Sequence, residues 1–508
     1  MVVHLAGCGG KGKHAAAPEQ QRELTALEKK YPALSWAPAD ASWVFVAARV
    51  RDGATALAEV TELGAIALGT TPQELVAPIA AGLGVSPLVP EELERAGFAL
   101  DRSTAVFAQS GFPTMILPIA DEAPLRALLD KRRPAQNAGV TQHRGHDVYS
   151  WSAGDWTLAW VLLDGWLLVR IQPDGAIDWL DEVLAAPNGG NLGGDPELER
   201  AVARGRAALG RDHDPGLVML VRTDRLARDL AGWSGGPRGL AGCVERAAQL
   251  TPVLHGAAEV SWDAASGWLG ADLGKNAEAV RAHLAPAAPG GFYAYRATAP
   301  IAFAWGVELP WLEKQRAALG CPFAAGRITD PVRAMTGMSG PRGIHGAASR
   351  IDPDDMSGTG AMHLILTDRE LVNAQLERIP GRSLFERDRR IHGHGVTVLS
   401  VPSLPSILYL QEKDRFTIAF GTKVMEQVLA PGQDAQRPAG DELFMAALEP
   451  GRVRNLGELL AMAGGALGRP RSAGRSLAER LQRYEKASLS LALEGETLAL
   501  RLGMRLRK

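Results

Sequence analysis

One order of apolar strands, helix starts and turns is written twice along this chain. Met115-Ile-Leu-Pro-Ile-Ala-Asp121 and Leu364-Ile-Leu-Thr-Asp368 each give a short apolar strand, an aspartate and then helical spacing. Gly145-His146-Asp-Val-Tyr149 matches Gly393-His394-Gly-Val-Thr397, and the stretch from Val161 to Val169 matches Leu408 to Ile418 as strand, tight turn, strand. The offset is 248 residues at Gly145 and 244 at Pro187, so the register barely drifts. A duplicated pattern of this length restricts the chain to two related bodies built on one plan.

Local chemistry says what that plan is. Asp121 and Asp368 stand where a carboxylate accepts the free amide protons of a first helical turn. The strands alternate apolar and polar residues, which predicts sheets with one wet face and helices on the other. The fold class is α+β, with two repeats of mixed or antiparallel sheet and flanking helices, over 33–288 and 289–508. Pro38 to Val46 and Pro289 to Tyr295 are read as the opening strands of the two copies. The two sheets either stand apart or join edge to edge. Residues 1–32 are read as a signal remnant, an anchor cysteine, a linker and a short polar helix from Glu19 to Tyr31.

At 508 residues, with 46% hydrophobic and 22% charged residues, the chain has the composition of a globular protein. No apolar run reaches the roughly 18–20 residues that cross a bilayer. The strongest stretch, Thr157 to Ile171, is interrupted by Asp164-Gly165 and reads as a hairpin. From Arg452 onward, twelve Lys/Arg stand against five Asp/Glu. Such an end suits either anionic headgroups, a wall polymer or an acidic partner, or is a solvated helix face. Nucleic acid is not expected as a partner, because no aromatic residues interleave with the basic ones.

Leu5-Ala6-Gly7-Cys8 has the form of a lipobox, in which a cysteine behind small residues carries a diacylglycerol. Gly9 to Lys13 and Ala15 to Pro18 supply a flexible spacer. Only four residues precede the box, fewer than a signal peptide needs. The expectation is lipidation at Cys8, with the membrane as partner through that anchor and a start site further upstream. Gly9 carries no aspartate-type retention signal, which favours delivery to the outer membrane. Cys243 and Cys321 either pair, as an oxidising envelope would allow, or stay as two buried free thiols, the state expected here because sequence does not show proximity.

The Pro38-Ala-Asp-Ala opening, the Gly145–Tyr149 strand, the Asp164-Gly165 hairpin and the strand-to-helix unit after it resemble a group of exported bacterial proteins of unknown function. Its members are typically lipoproteins or carry one N-terminal membrane anchor. The resemblance implies an envelope protein with a duplicated α+β ectodomain, and it brings no catalytic residues.

Candidate chemistry is sparse. Gly232-Trp233-Ser234-Gly235-Gly236 has the G-x-S-x-G spacing, but helical residues precede it where a nucleophile elbow needs a strand. His143, His146, His392 and His394 lack the recurring third ligand that zinc requires. Asp352 to Gly358 places Met356 where a calcium loop needs oxygen. Trp151, Trp156, Trp160 and Trp166 cluster in the first copy, either as an aromatic face for a sugar or acyl chain or as core. The sequence therefore points to no catalytic residue, no metal and no cofactor. It points to a non-enzymatic envelope lipoprotein acting in binding, scaffolding or assembly with an envelope protein or lipid. The alternatives are a carrier or chaperone holding a hydrophobic ligand between the halves, and a serine hydrolase.

Overall fold

The computed structural model describes residues 23–507 except 69–70, 133–138, 154–155, 173–177, 233–238, 262, 322–341, 353–356, 367–373, 375–376, 378–385, 401–405, 432–440 and 467–470. Among the described residues are 15 helices and one antiparallel sheet of 20 strands, an α+β fold.

The first half supplies β1 (Trp43–Ala47), β2 (Thr104–Gln109), β3 (Phe112–Pro118), β4 (Gly139–His143), β5 (His146–Ala153), β6 (Trp156–Leu163), β7 (Trp166–Gln172), β8 (Leu217–Arg222), β9 (Val253–Val260) and β10 (Ala264–Asp272). The second supplies β11 (Ile301–Trp305), β12 (Gly343–Asp352), β13 (Ser357–Ile365), β14 (Glu386–Ile391), β15 (His394–Leu399), β16 (Ile407–Gln411), β17 (Arg415–Phe420), β18 (Asp441–Leu448), β19 (Tyr484–Glu494) and β20 (Thr497–Leu506). The ladder in the first half runs β4-β5-β6-β7-β3-β2-β1-β8-β9-β10. The second half has the corresponding order, β14-β15-β16-β17-β13-β12-β11-β18-β19-β20.

The two ladders are one sheet. β10 pairs antiparallel with its counterpart β20 over nine residue pairs, from Ala264↔Arg505 to Asp272↔Thr497, with Trp268↔Arg501 at the middle. Pairing a strand with its own repeat in this sense makes the join a local pseudo-twofold axis. Equivalent hairpins also turn alike: Arg144-Gly145 and His392-Gly393 both take positive φ, as two-residue turns of this hand require.

Strands β3, β6 and β7 of the first half are covered on both faces, where alternation had predicted one wet face. In β7, Trp166 and Leu168 enter one core with Val44, Phe107 and Leu180. Leu167 and Val169 enter the opposite core with Leu125, Trp151 and Trp160. The helices Trp179–Ala185 and Pro196–Leu209 cover the first face, while Val50–Leu68 and Glu122–Arg132 cover the second. An uninterrupted apolar run such as Trp166 to Val169 fits a strand buried on both sides. Asp121 accepts a hydrogen bond from the Ala123 amide (3.0 Å), capping its helix as expected. Asp368 lies outside the described residues.

Three expectations are corrected. The opening of the second copy is helical: Gly290–Thr298 forms a helix that buries Phe292, Tyr293 and Tyr295, and the first strand is β11. The N-terminal helix is Ala26–Lys30, started by a capping box between Thr25 and Glu28. It belongs to the folded body, since Asn191 donates to the buried Glu28 (2.9 Å) and Tyr31 is fully buried. Cys243 and Cys321 are not free thiols but a disulfide, with Cα atoms 4.8 Å apart. Folding brings the helix Leu240–Leu250 of the first half against the end of Leu309–Leu319 of the second, a proximity that spacing alone does not reveal.

Candidate binding groove at the join

The hairpins β9–β10 and β19–β20 are repeats of each other, but they differ in what they place on one face. The first presents Gly256, Ala258 and Gly267 where the second presents Leu489, Leu491 and Leu500, while Leu269 and Leu502 correspond to each other. Cross-strand partners extend these positions into two adjacent rows. One row runs Phe45, Met219, Gly256, Leu269, Leu500, Leu491, Phe444; the other runs Leu217, Ala258, Gly267, Leu502, Leu489, Ala446, Phe303. No charged or hydrogen-bonding side chain interrupts either row.

Glycine and alanine in the first hairpin leave a hollow between the larger side chains beside it. The resulting groove has a volume of about 240 Å³ and is open to solvent. Phe45, Met219, Leu269, Leu500 and Leu502 line it half-buried, and Phe303 at the far end of its row is 37% exposed. A contiguous apolar surface left in contact with water is the usual mark of a docking site. The lining carries no charged side chain and no imidazole, carboxylate or thiol, so the groove is suited to holding hydrocarbon.

Helices from both halves meet near the groove. Val50–Leu68 touches Arg471–Leu481, and the Tyr484 hydroxyl donates to the Glu59 carboxylate. By the pseudo-twofold, Leu309–Leu319 meets Leu240–Leu250, joined there by the disulfide and by Arg246 Nε donating to the Leu319 carbonyl (2.8 Å).

The opposite face of the join is polar and closed. Trp268 is buried beneath the helix Pro196–Leu209. Arg204 Nη1 donates to Asp272 Oδ2 (2.5 Å) and lies 3.2 Å from His255 Nδ1, and Thr497 donates to Asp272 Oδ1 (2.8 Å). Burial pushes the His255 pKa down, aided by the Arg204 charge. Burial alone would raise Asp272, but hydrogen bonds from Arg204 and Thr497 and the Arg204 charge hold it low. These groups fasten the two halves and are paired with one another.

The tryptophans divide differently from the expected aromatic face. Trp151, Trp160 and Trp166 are 7%, 1% and 6% exposed, so they are core and form no surface for a ligand. Trp151 and Trp160 pack edge to face at 4.6 Å, and Arg102 lies over Trp166. Of Trp156 only the backbone is described. Cys8 and Ser234 lie outside the described residues. His143 Nε2 is 2.5 Å from Asp181 Oδ1, and His146 opposes His143 in the β4–β5 register. His392 Nε2 meets the Glu426 carbonyl (3.0 Å), while His394 is 4.0 Å from Glu412. The structure thus gathers these histidines onto neighbouring helices and strands rather than around a shared centre. In the basic C-terminal part, Arg452, Arg475 and Arg501 pair with Glu449, Glu458 and Glu494.

Sequence reading missed the groove. Its signal was present, as glycine and alanine at alternate positions of one hairpin against leucine in the repeat.

The fold and groove define an α+β protein with a duplicated antiparallel sheet and an apolar site at the join. No protein family and no curated protein matches the chain. Among solved structures it has a distant similarity to the Treponema protein TP0453: crystal form I at 9% identity and a TM-score of 0.28, covering 48% of this chain and 79% of that one. Crystal form IV matches at 10% identity and a TM-score of 0.28, covering 51% and 90%.

Proposed function

We propose that this chain is a non-enzymatic, lipid-anchored protein of the bacterial envelope that holds a hydrophobic ligand in the groove between its halves. The observation that carries the reading is the pair of uncharged apolar rows crossing the join, hollowed at Gly256 and Gly267. The groove exceeds the roughly 150 Å³ of a dry engineered cavity that takes up benzene, so a small hydrocarbon has room. Two features support the location. Leu5-Ala6-Gly7-Cys8 offers an acylation site, and a disulfide such as Cys243–Cys321 persists in an oxidising compartment.

The binding reading is tested by titrating purified protein with the fluorescent probe N-phenyl-1-naphthylamine. Saturable enhancement is expected, and its loss in Gly267→Val is expected because that side chain enters the groove. No enhancement on the wild type overturns the reading. The anchor is tested by metabolic labelling with an alkyne fatty acid: label on wild type and none on Cys8→Ala is expected. Equal label on both, or none on wild type, removes the anchor.

A further inference from the structure

We infer that the groove grips an alkyl chain by its hydrocarbon tail and does not read the head group. This rests on the docking reading above. Three observations carry it. The floor is formed at Gly256 and Gly267, and the walls by Phe45 and Met219 on one side and Leu500 and Leu502 on the other. All of these are apolar, so a carboxylate, phosphate or sugar seated there would lose its water without gaining a partner, which is costly. The groove is open to solvent, so a head group can stay in solvent while the tail contacts the lining.

The internal repeat supplies a built-in contrast. In the β19–β20 hairpin, leucines stand at the corresponding positions, Leu489, Leu491 and Leu500. The size of residue at Gly267 therefore determines whether the join holds a ligand. A Cβ built at Gly267 meets Leu502 Cβ at 3.8 Å and Ala258 Cβ at 4.0 Å, both ordinary contacts. A larger side chain is accommodated there by filling the groove rather than by displacing backbone. At Gly256 a Cβ would lie 3.1 Å from Met219 Cε, a tighter position.

The test is displacement of bound N-phenyl-1-naphthylamine by alkyl compounds below their micellar concentrations. Decanoate, decyl trimethylammonium and decyl maltoside give an anionic, a cationic and a neutral head on one chain length. Their affinities are expected to agree within about threefold. Octyl and dodecyl members of each series are expected to bracket them, at up to fourfold per methylene buried, from about 0.8 kcal/mol per CH₂. Gly267→Ala is expected to weaken all series together, and Gly267→Val to abolish them while circular dichroism stays unchanged. A preference above tenfold for one head group, or affinities independent of chain length, overturns tail-only recognition and leaves the docking reading standing. Absence of probe binding to the wild type overturns the docking reading itself.

Discussion

His345 and His363 face each other across β12 and β13 in the core of the second half, their ring centroids 6.3 Å apart, where the first half has Ala105 and Ile116. The repeat makes the substitution legible: in chain order His345 and Ala105 each lie on the second strand of their half, and His363 and Ile116 on the third. The next residue along is Thr417 in one half and Leu168 in the other. His363 Nδ1 lies 2.8 Å from Thr417 Oγ1, and the rings of Phe292 and Tyr293 close over the pair. A polar row has replaced an apolar one in an otherwise equivalent core.

That replacement predicts acid sensitivity. Burial, with the Arg296 charge adding, lowers His345 from 6.5 to about 4. Burial, then His345 and Arg415, lowers His363 to about 3. Both folded values lie below the unfolded one, so the unfolded chain takes up protons first. The stability these residues contribute is fully present above about pH 6.5 and is lost as pH falls toward their folded values. At pH 5 each loses on the order of 2 kcal/mol. Urea midpoints measured at pH 7.5 and pH 5 are expected to fall on acidification, and to fall less in the double variant His345→Ala/His363→Ile, which restores the residues of the first half. An unchanged pH dependence in that variant would show that other groups govern it.

The disulfide is expected to stabilise the chain. Cys243 and Cys321 are 78 residues apart, and the chain entropy removed by closing a loop of that length is worth about 4–5 kcal/mol. Cys243→Ser should lower the melting temperature under non-reducing conditions, and reductant should lower the wild type to a similar value while leaving the variant unchanged. Two reactive thiols at Cys243 and Cys321 in unreduced native protein would contradict the bond.

Much of this architecture was readable because period and turn chemistry are local. Asp121 capping and the Asp164-Gly165 hairpin follow from residues within a few positions of one another, and the repetition is those local signals recurring in the same order. The join was not readable, because the backbone hydrogen bonds that unite β10 with β20 leave no mark on side-chain type. The second copy's first strand was displaced for a related reason: Phe292, Tyr293 and Tyr295 suit a buried helix face as well as a strand, and only packing decides between them. Gly256 and Gly267 mark a hollow only once their leucine counterparts stand beside them in one sheet.

Trp160 separates core from ligand site. It is 1% exposed and packs on Trp151, far along the sheet from Gly267. Trp160→Ala should cost about 3–5 kcal/mol in urea unfolding. At temperatures where the variant remains folded, its affinity for N-phenyl-1-naphthylamine should match the wild type. A selective loss of probe binding without loss of stability would return the aromatic cluster to a binding role.

Gly205 tests how closely the first half's covering helix must approach the sheet. It lies in Pro196–Leu209, where alanine would ordinarily gain about 1 kcal/mol over glycine. Here a Cβ would meet Ala257 Cβ at 2.3 Å and Pro215 Cγ at 3.2 Å, so the helix would have to lift. Lifting disturbs Trp268, which this helix buries at the middle of the join. The overpacking term outweighs the helical gain, and Gly205→Ala should destabilise by about 1–3 kcal/mol. Removing the opposing methyl in Gly205→Ala/Ala257→Gly should recover part of that loss, because the clash is between those two carbons. A double-mutant cycle in urea measures the coupling directly. Additive single effects would mean that the helix and sheet are not in the contact that sets the height of the join.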